Sequence, residues 1–92
     1  MSDFKLFYLK FCPYCREVFK WIEELRVEHP EINEIELSMI NERKEPELSD
    51  AYDYYYVPTF FYKDEKLFEG AMTKEGVLSV FQKALDRSRQ ND

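Results

Sequence analysis

Both cysteines of this chain fall within one short stretch, Phe11-Cys12-Pro13-Tyr14-Cys15. At this spacing they can bond to each other, so a thiol–disulfide couple is the first chemistry the chain suggests. An apolar run, Phe4-Lys5-Leu6-Phe7-Tyr8-Leu9, precedes the pair. After it, Cys15, Val18, Phe19, Ile22 and Leu25 fall on one helical face. The dithiol therefore sits where a strand hands over to a helix. Cys12 at the N-cap has its sulfur beside the unpaired N–H groups of the first turn, and those donors favour a thiolate. Pro13 is then the first helical residue, where its missing N–H costs nothing and its fixed φ suits the helix. Cys15 lies on the same side of the first turn, where Cβ atoms are about 5–6 Å apart, and modest tightening brings that within disulfide range. Only a thiolate attacks a disulfide. Cys12 is thus the candidate nucleophile, and Cys15 the thiol that resolves the mixed disulfide.

Two blander readings compete. Half of a zinc site is one, but a structural site takes about four ligands, and only His29 is left as a nitrogen donor. Completion would need a second chain. A purely structural disulfide is the other; it would add little, because stabilisation grows with the length of the closed loop.

The elements needed to position the pair can be read along the chain. Phe4 to Leu9 is apolar on nearly both faces, as a central strand in a covered sheet would be. The first helix runs from Pro13 to Glu28 and ends at His29-Pro30, since a residue before proline avoids the helical region. Trp21 falls outside its apolar stripe. Glu34 to Ile40 alternates, with Ile35, Leu37 and Met39 on one face, as in a half-buried strand. A short helix follows Pro46, with Leu48, Ala51, Tyr52 and Tyr55 at helical spacing, and Val57-Pro58 breaks it. Thr59 to Tyr62 and Lys66 to Phe68 read as two strands joined through Lys63-Asp64-Glu65, a turn without glycine. Thr73 caps a last helix whose buried face is Val77, Leu78, Phe81, Ala84 and Leu85. The polar stretch from Arg87 to Asp92 is expected to fray. The order is βαβαββα. Strand, crossover helix and strand imply a parallel pair, and the closing hairpin is antiparallel, so the expectation is an α/β fold with a mixed four-stranded sheet flanked by helices.

Bulk properties narrow the setting. Ninety-two residues make one domain spanning 1–92. A hydrophobic content of 45%, with seven Tyr and eight Phe, supplies its core. The formal charge of −6 argues against nucleic acid or an anionic membrane as the main partner. The first residues, Met1-Ser2-Asp3-Phe4-Lys5, lack the basic and apolar regions of a signal peptide. No apolar stretch approaches transmembrane length. The expected setting is the cytoplasm, where the pair rests mostly reduced. The chain is expected to act as a monomer, with no bound cofactor and no metal.

Taken together, the element order, Cys12-Pro13-Tyr14-Cys15 at the first strand-to-helix turn and Val57-Pro58-Thr59 before the third strand resemble the thioredoxin superfamily over nearly the whole chain. The resemblance implies the thioredoxin fold, with Pro58 cis and lying against the dithiol. It also implies that Pro13, Tyr14 and Pro58 support the site. The backbone of Val57, flanked by Tyr56 and Thr59, would pair with an extended substrate in strand-addition fashion. Within the superfamily the two halves differ. Cys-Pro-Tyr-Cys is the glutaredoxin dipeptide, yet Leu9 stands where glutaredoxins carry Lys or Arg. Glu69-Gly70-Ala71-Met72-Thr73 also lacks the charge partners that a glutathione γ-glutamyl end needs. The second half, Val57-Pro58-Thr59-Phe60-Phe61 and Glu69 to Lys74, looks more like thioredoxin, but Leu6 stands where thioredoxins keep a buried Asp. The whole is similar to the small glutaredoxin-like thioredoxins. The implied activity is reduction of protein disulfides, with recharging by a thioredoxin reductase and NADPH or by glutathione. The alternatives are a glutathione-dependent glutaredoxin and a non-catalytic binding module using the tyrosine-rich surface. For that surface, helix packing is the reading for Tyr52 and Tyr55, while Tyr54 and Tyr56 divide evenly between packing and a substrate rim.

Overall fold

In β1 (Phe4–Tyr8) every residue from Phe4 to Phe7 is buried, so neither face of this strand meets water. The computed structural model, which describes residues 2–90, shows how both faces are covered. β1 is central in a four-stranded sheet of order β2-β1-β3-β4. It pairs parallel with β2 (Ser38–Asn41) and antiparallel with β3 (Thr59–Tyr62), and β3 pairs antiparallel with β4 (Glu65–Glu69). Helix α1 (Pro13–Glu28) makes the parallel crossover, α2 (Pro46–Asp50) links β2 to β3, and α3 (Lys74–Gln90) closes the chain. This is the expected mixed α/β architecture.

Alternation sorts the strand residues into two cores. Phe4, Leu6, Phe60 and Tyr62 face α1 and α3 and join Val18, Ile22, Leu25, Val77, Val80 and Phe81 in the larger one. Phe81 anchors α3: its ring meets Phe4 edge-on at 5.1 Å and Phe60 at 6.3 Å. Phe7, Ile40 and Phe61 point to the other face, where Leu48, Tyr52 and Tyr54 cover them. Lys5 shares that side; its stem is buried and its ammonium lies over the Tyr52 ring at 5.6 Å.

The differences from expectation have local causes. After His29, whose N–H bonds the Leu25 carbonyl at 2.7 Å, the chain enters a 3₁₀ turn over Pro30–Glu34 that drives Ile32 into the core. Ile35 and Leu37 therefore reach the core from a connector, and β2 begins only at Ser38. Met39, on this edge strand, is 47% exposed. Trp21 packs against the larger core rather than standing clear of it. The β3–β4 turn is two residues long, and Lys63 supplies the left-handed conformation at φ 53° that glycine would normally take. α3 does not fray at Arg87. That guanidinium bonds both oxygens of Glu65, Arg89 pairs with Glu34, and the helix runs to Gln90. Asn91 and Asp92, the rest of the expected frayed tail, lie outside the described residues.

If apolar burial rather than these ion pairs holds α3 in place, Phe81→Ala should cost about 3–5 kcal/mol. Arg89→Ala should leave the urea midpoint within error. Equal losses from the two substitutions would overturn that ranking.

Candidate active site

The start of α1 divides the two cysteines between solvent and core. Cys12 is the N-cap, with extended backbone at φ −80° and ψ 120°, and Pro13 opens the helix as expected; the Cys12 side chain, however, makes no capping hydrogen bond to the N–H groups of the first turn. The Cys12 N–H bonds the Leu9 carbonyl at 3.3 Å, and the Cys12 carbonyl accepts from Arg16 N–H at 3.1 Å. Both cysteines are free thiols; Cys12 is half-buried and Cys15 fully buried. Burial pushes the Cys15 thiol up to about 12, and its hydrogen bond with Cys12 and the charge of Glu42 push the same way, against a backbone hydrogen bond from Leu9. Cys15 therefore stays protonated at neutral pH. Tyr14, between the two, is 55% exposed.

A second segment meets Cys12 from β3. The Val57–Pro58 peptide bond is cis, the isomer the resemblance implies, and the Cys12 thiol donates to the Val57 carbonyl at 3.9 Å. Several bonds hold this segment. Glu69, the last residue of β4, accepts the N–H groups of Tyr55 and Tyr56 on one carboxylate oxygen and Lys66 Nζ, at 2.8 Å, on the other. Those three donors, Lys66 first, hold the Glu69 carboxyl down to about 2. The Thr59 hydroxyl donates to the Tyr56 carbonyl, and Gly70 N–H bonds the Pro58 carbonyl at 2.8 Å. Gly70 stands at φ 95°, a conformation that costs glycine little.

The structure thus brings Cys12, Cys15, Val57 and Pro58 together. Thr59, expected to contact substrate, is fully buried and works inward on the Tyr56 carbonyl. One tyrosine departs from expectation, and a divided one is resolved. Tyr55, expected to pack, is 84% exposed, because α2 ends at Asp50 and helical spacing does not reach it. Tyr54 packs on Phe7 at 5.0 Å and donates its hydroxyl to Glu42 at 2.7 Å; burial first, then that acceptor, push its phenol up. Glu42 is thereby tied to the second core through Tyr54. Tyr56 is 70% exposed beside the site. Among the described residues, no group of three or more His, Cys, Asp or Glu is arranged to hold a metal.

The model of the thioredoxin family matches residues 5–83, a span that contains the dithiol, the cis proline and all four strands. The chain belongs to the thioredoxin family. It is also similar to a thioredoxin from Methanocaldococcus jannaschii, at 32% identity over 81 residues that cover 88% of this chain and 93% of that protein. Family membership makes the protein a thiol–disulfide oxidoreductase. The part of the site that sequence reasoning missed is Glu69, whose role rests on contacts to residues 13 and 14 positions earlier in the chain.

Two measurements probe this geometry. At pH 8, a thiol held up to about 12 is ionised in roughly one molecule in ten thousand. Limiting iodoacetamide on the folded, reduced protein should therefore label Cys12 at least about a hundredfold faster than Cys15, and Cys15 labelling should climb as pH rises toward 12. Comparable rates at pH 8 would contradict the burial of Cys15. In Glu69→Ala, amide exchange at Tyr55 and Tyr56 should quicken about tenfold while that of the β1 core stays slow. Unchanged exchange would remove Glu69 from its role.

Proposed function

We propose that the protein reduces disulfides of other proteins by two-step dithiol exchange in a reducing, cytoplasmic setting. The observation that carries this reading is the placement of Cys12 at a helix N-cap, against the Val57 carbonyl, with Cys15 buried one turn behind. The Cys12 thiolate attacks one sulfur of the substrate disulfide. That bond breaks, a mixed disulfide forms, and the departing thiolate takes up a proton. Cys15 then loses its proton and attacks the Cys12 sulfur, releasing the second substrate thiol. The substrate gains two electrons and two protons, and the protein leaves with a Cys12–Cys15 disulfide. An external dithiol or thiol, from a thioredoxin reductase fed by NADPH or from glutathione, returns the pair to the reduced state. Val57 offers backbone groups for an extended substrate strand, and the exposed Tyr14 and Tyr56 flank it. Pro13 and Pro58 fix the two segments that meet at Cys12.

A thioredoxin-like mode is favoured over a glutathione-specific one by Glu69. Its carboxylate is committed to Tyr55, Tyr56 and Lys66 at the place where a glutathione site needs free charge partners. The deciding experiment uses two tubes. In one, the oxidised protein meets excess glutathione, is acid-quenched over seconds and is weighed intact. In the other, it meets NADPH and a thioredoxin reductase from the same organism. Slow, adduct-poor reaction with prompt NADPH oxidation is expected; rapid accumulation of a glutathione adduct on Cys12 without NADPH consumption would overturn the preference. Cys12→Ser should lower disulfide reduction by at least about 10³-fold, in line with loss of an activated nucleophile, whereas a binding module would keep its function.

A further inference from the structure

Beside Cys12 lies a cleft of about 350 Å³ between the β1–α1 and β2–α2 connections. Its apolar walls are Leu9 and Phe11, and its charged groups are Lys10, Arg43 and Lys44; no acidic residue lines it. In a chain of net charge −6, this concentration of positive charge is out of keeping with the whole. Among the described residues, none of the three cations has a carboxylate partner, as is also true of Lys5, Arg16, Lys20, Arg26, Lys63 and Lys83; what sets the three apart is that they line one cleft beside Cys12. Lys10 instead lies over the Phe11 ring at 5.6 Å. The β2–α2 connection is fixed by Asn41, whose side chain accepts Arg43 N–H at 3.0 Å and whose carbonyl accepts Lys44 and Glu45 N–H, both at 3.0 Å. Of the two acids on it, Glu42 accepts the Tyr54 hydroxyl, and neither Glu42 nor Glu45 lines the cleft.

We infer that this cleft receives an acidic segment flanking the disulfide of a protein substrate. Cys12 itself lines the cleft, so its occupant is continuous with the reacting bond. The cations come from two separate connections and stand beside Phe11, which is 74% exposed. That arrangement suits an extended peptide laid across an apolar platform with carboxylates on either side. The volume is near the low end of ligand pockets, room for a few side chains. Unpaired cations in such a place raise the encounter rate of an acidic partner and repel a basic one, and salt screens both effects. The inference rests on the protein-disulfide reading above.

The test uses the pre-reduced protein in single-turnover reactions with three synthetic peptides. They share one intramolecular disulfide and differ only in flanking Asp-Asp, Ser-Ser or Lys-Lys. Acidic flanks should react about tenfold faster than basic ones at low ionic strength, shrinking below about twofold at 0.5 M NaCl. Arg43→Ser with Lys44→Ser should collapse the ranking. Lys63→Asn with Lys83→Ser, an equal loss of charge far from the cleft, should preserve it. Equal rates for all three peptides would overturn the inference and leave the reductase reading standing; no reduction of any peptide would overturn both. Oxidised glutathione is the fourth probe. If its reduction alone slows in the Arg43 and Lys44 double variant, the cleft serves a small anion and the peptide inference fails.

Discussion

One helical turn must present one sulfur to solvent and take its neighbour into the core, and the rest of the molecule is arranged around that demand. Cys15 occupies the same face as Val18, Ile22 and Leu25, so packing α1 on the sheet buries it. Cys12 is spared burial because it is the cap rather than part of the helix. Pro13 permits the abrupt start, since a first-turn residue has no intrahelical use for its N–H. The different chemical states of two identical side chains then follow from position. Burial, more than any charge, keeps Cys15 protonated, and the order of attack in the proposed exchange follows from that difference.

A dithiol at a helix start still needs something on its open side, and β3 and β4 supply it. The cis-proline segment has no regular hydrogen bonding of its own. Its groups are satisfied by Glu69, Thr59 and Gly70, which lie at the hairpin end nearest the site. Glu69 is effective because β4 ends beside that segment, and Lys66 draws its second oxygen away. The hairpin in turn is fixed by Phe60 and Phe61, which pass to opposite cores. The placement of the Val57 carbonyl on Cys12 thus traces back to alternation in β3.

What the sequence made legible follows the range of the interactions concerned. α1 and α3 were readable because their buried faces repeat at helical period, and their starts carry local signals, Pro13 and Thr73; the Thr73 hydroxyl accepts the Gly76 N–H at 3.0 Å. The dithiol and Val57-Pro58 were readable as contiguous motifs. β2 was displaced because Ile35 and Leu37 alternate like strand residues although a 3₁₀ turn, set by Pro30, delivers them. Tyr55 falls at helical spacing in the sequence, but α2 ends at Asp50, before that spacing reaches it. Glu69, the Arg87–Glu65 pair and the clustering of Lys10 with Arg43 and Lys44 all join residues distant in sequence. Nothing local signals such contacts.

The proton on Cys15 links the two stages of the proposed exchange. In the reduced protein, three influences hold that thiol up: burial, the contact with Cys12 and the charge of Glu42. In the proposed exchange, once Cys12 is tied into a mixed disulfide its sulfur carries no charge, and the repulsion that charge exerted on a Cys15 thiolate is gone. Burial and Glu42 remain, so in that proposed sequence Cys15 is less restrained after the first attack than before it. Leu6 offers no carboxylate beneath the pair, but Glu42 stands within electrostatic reach from the end of β2, held by Tyr54. The first attack thus removes part of what restrains the second. Two free thiols in one helical turn can act in sequence because each alters the electrostatics of the other.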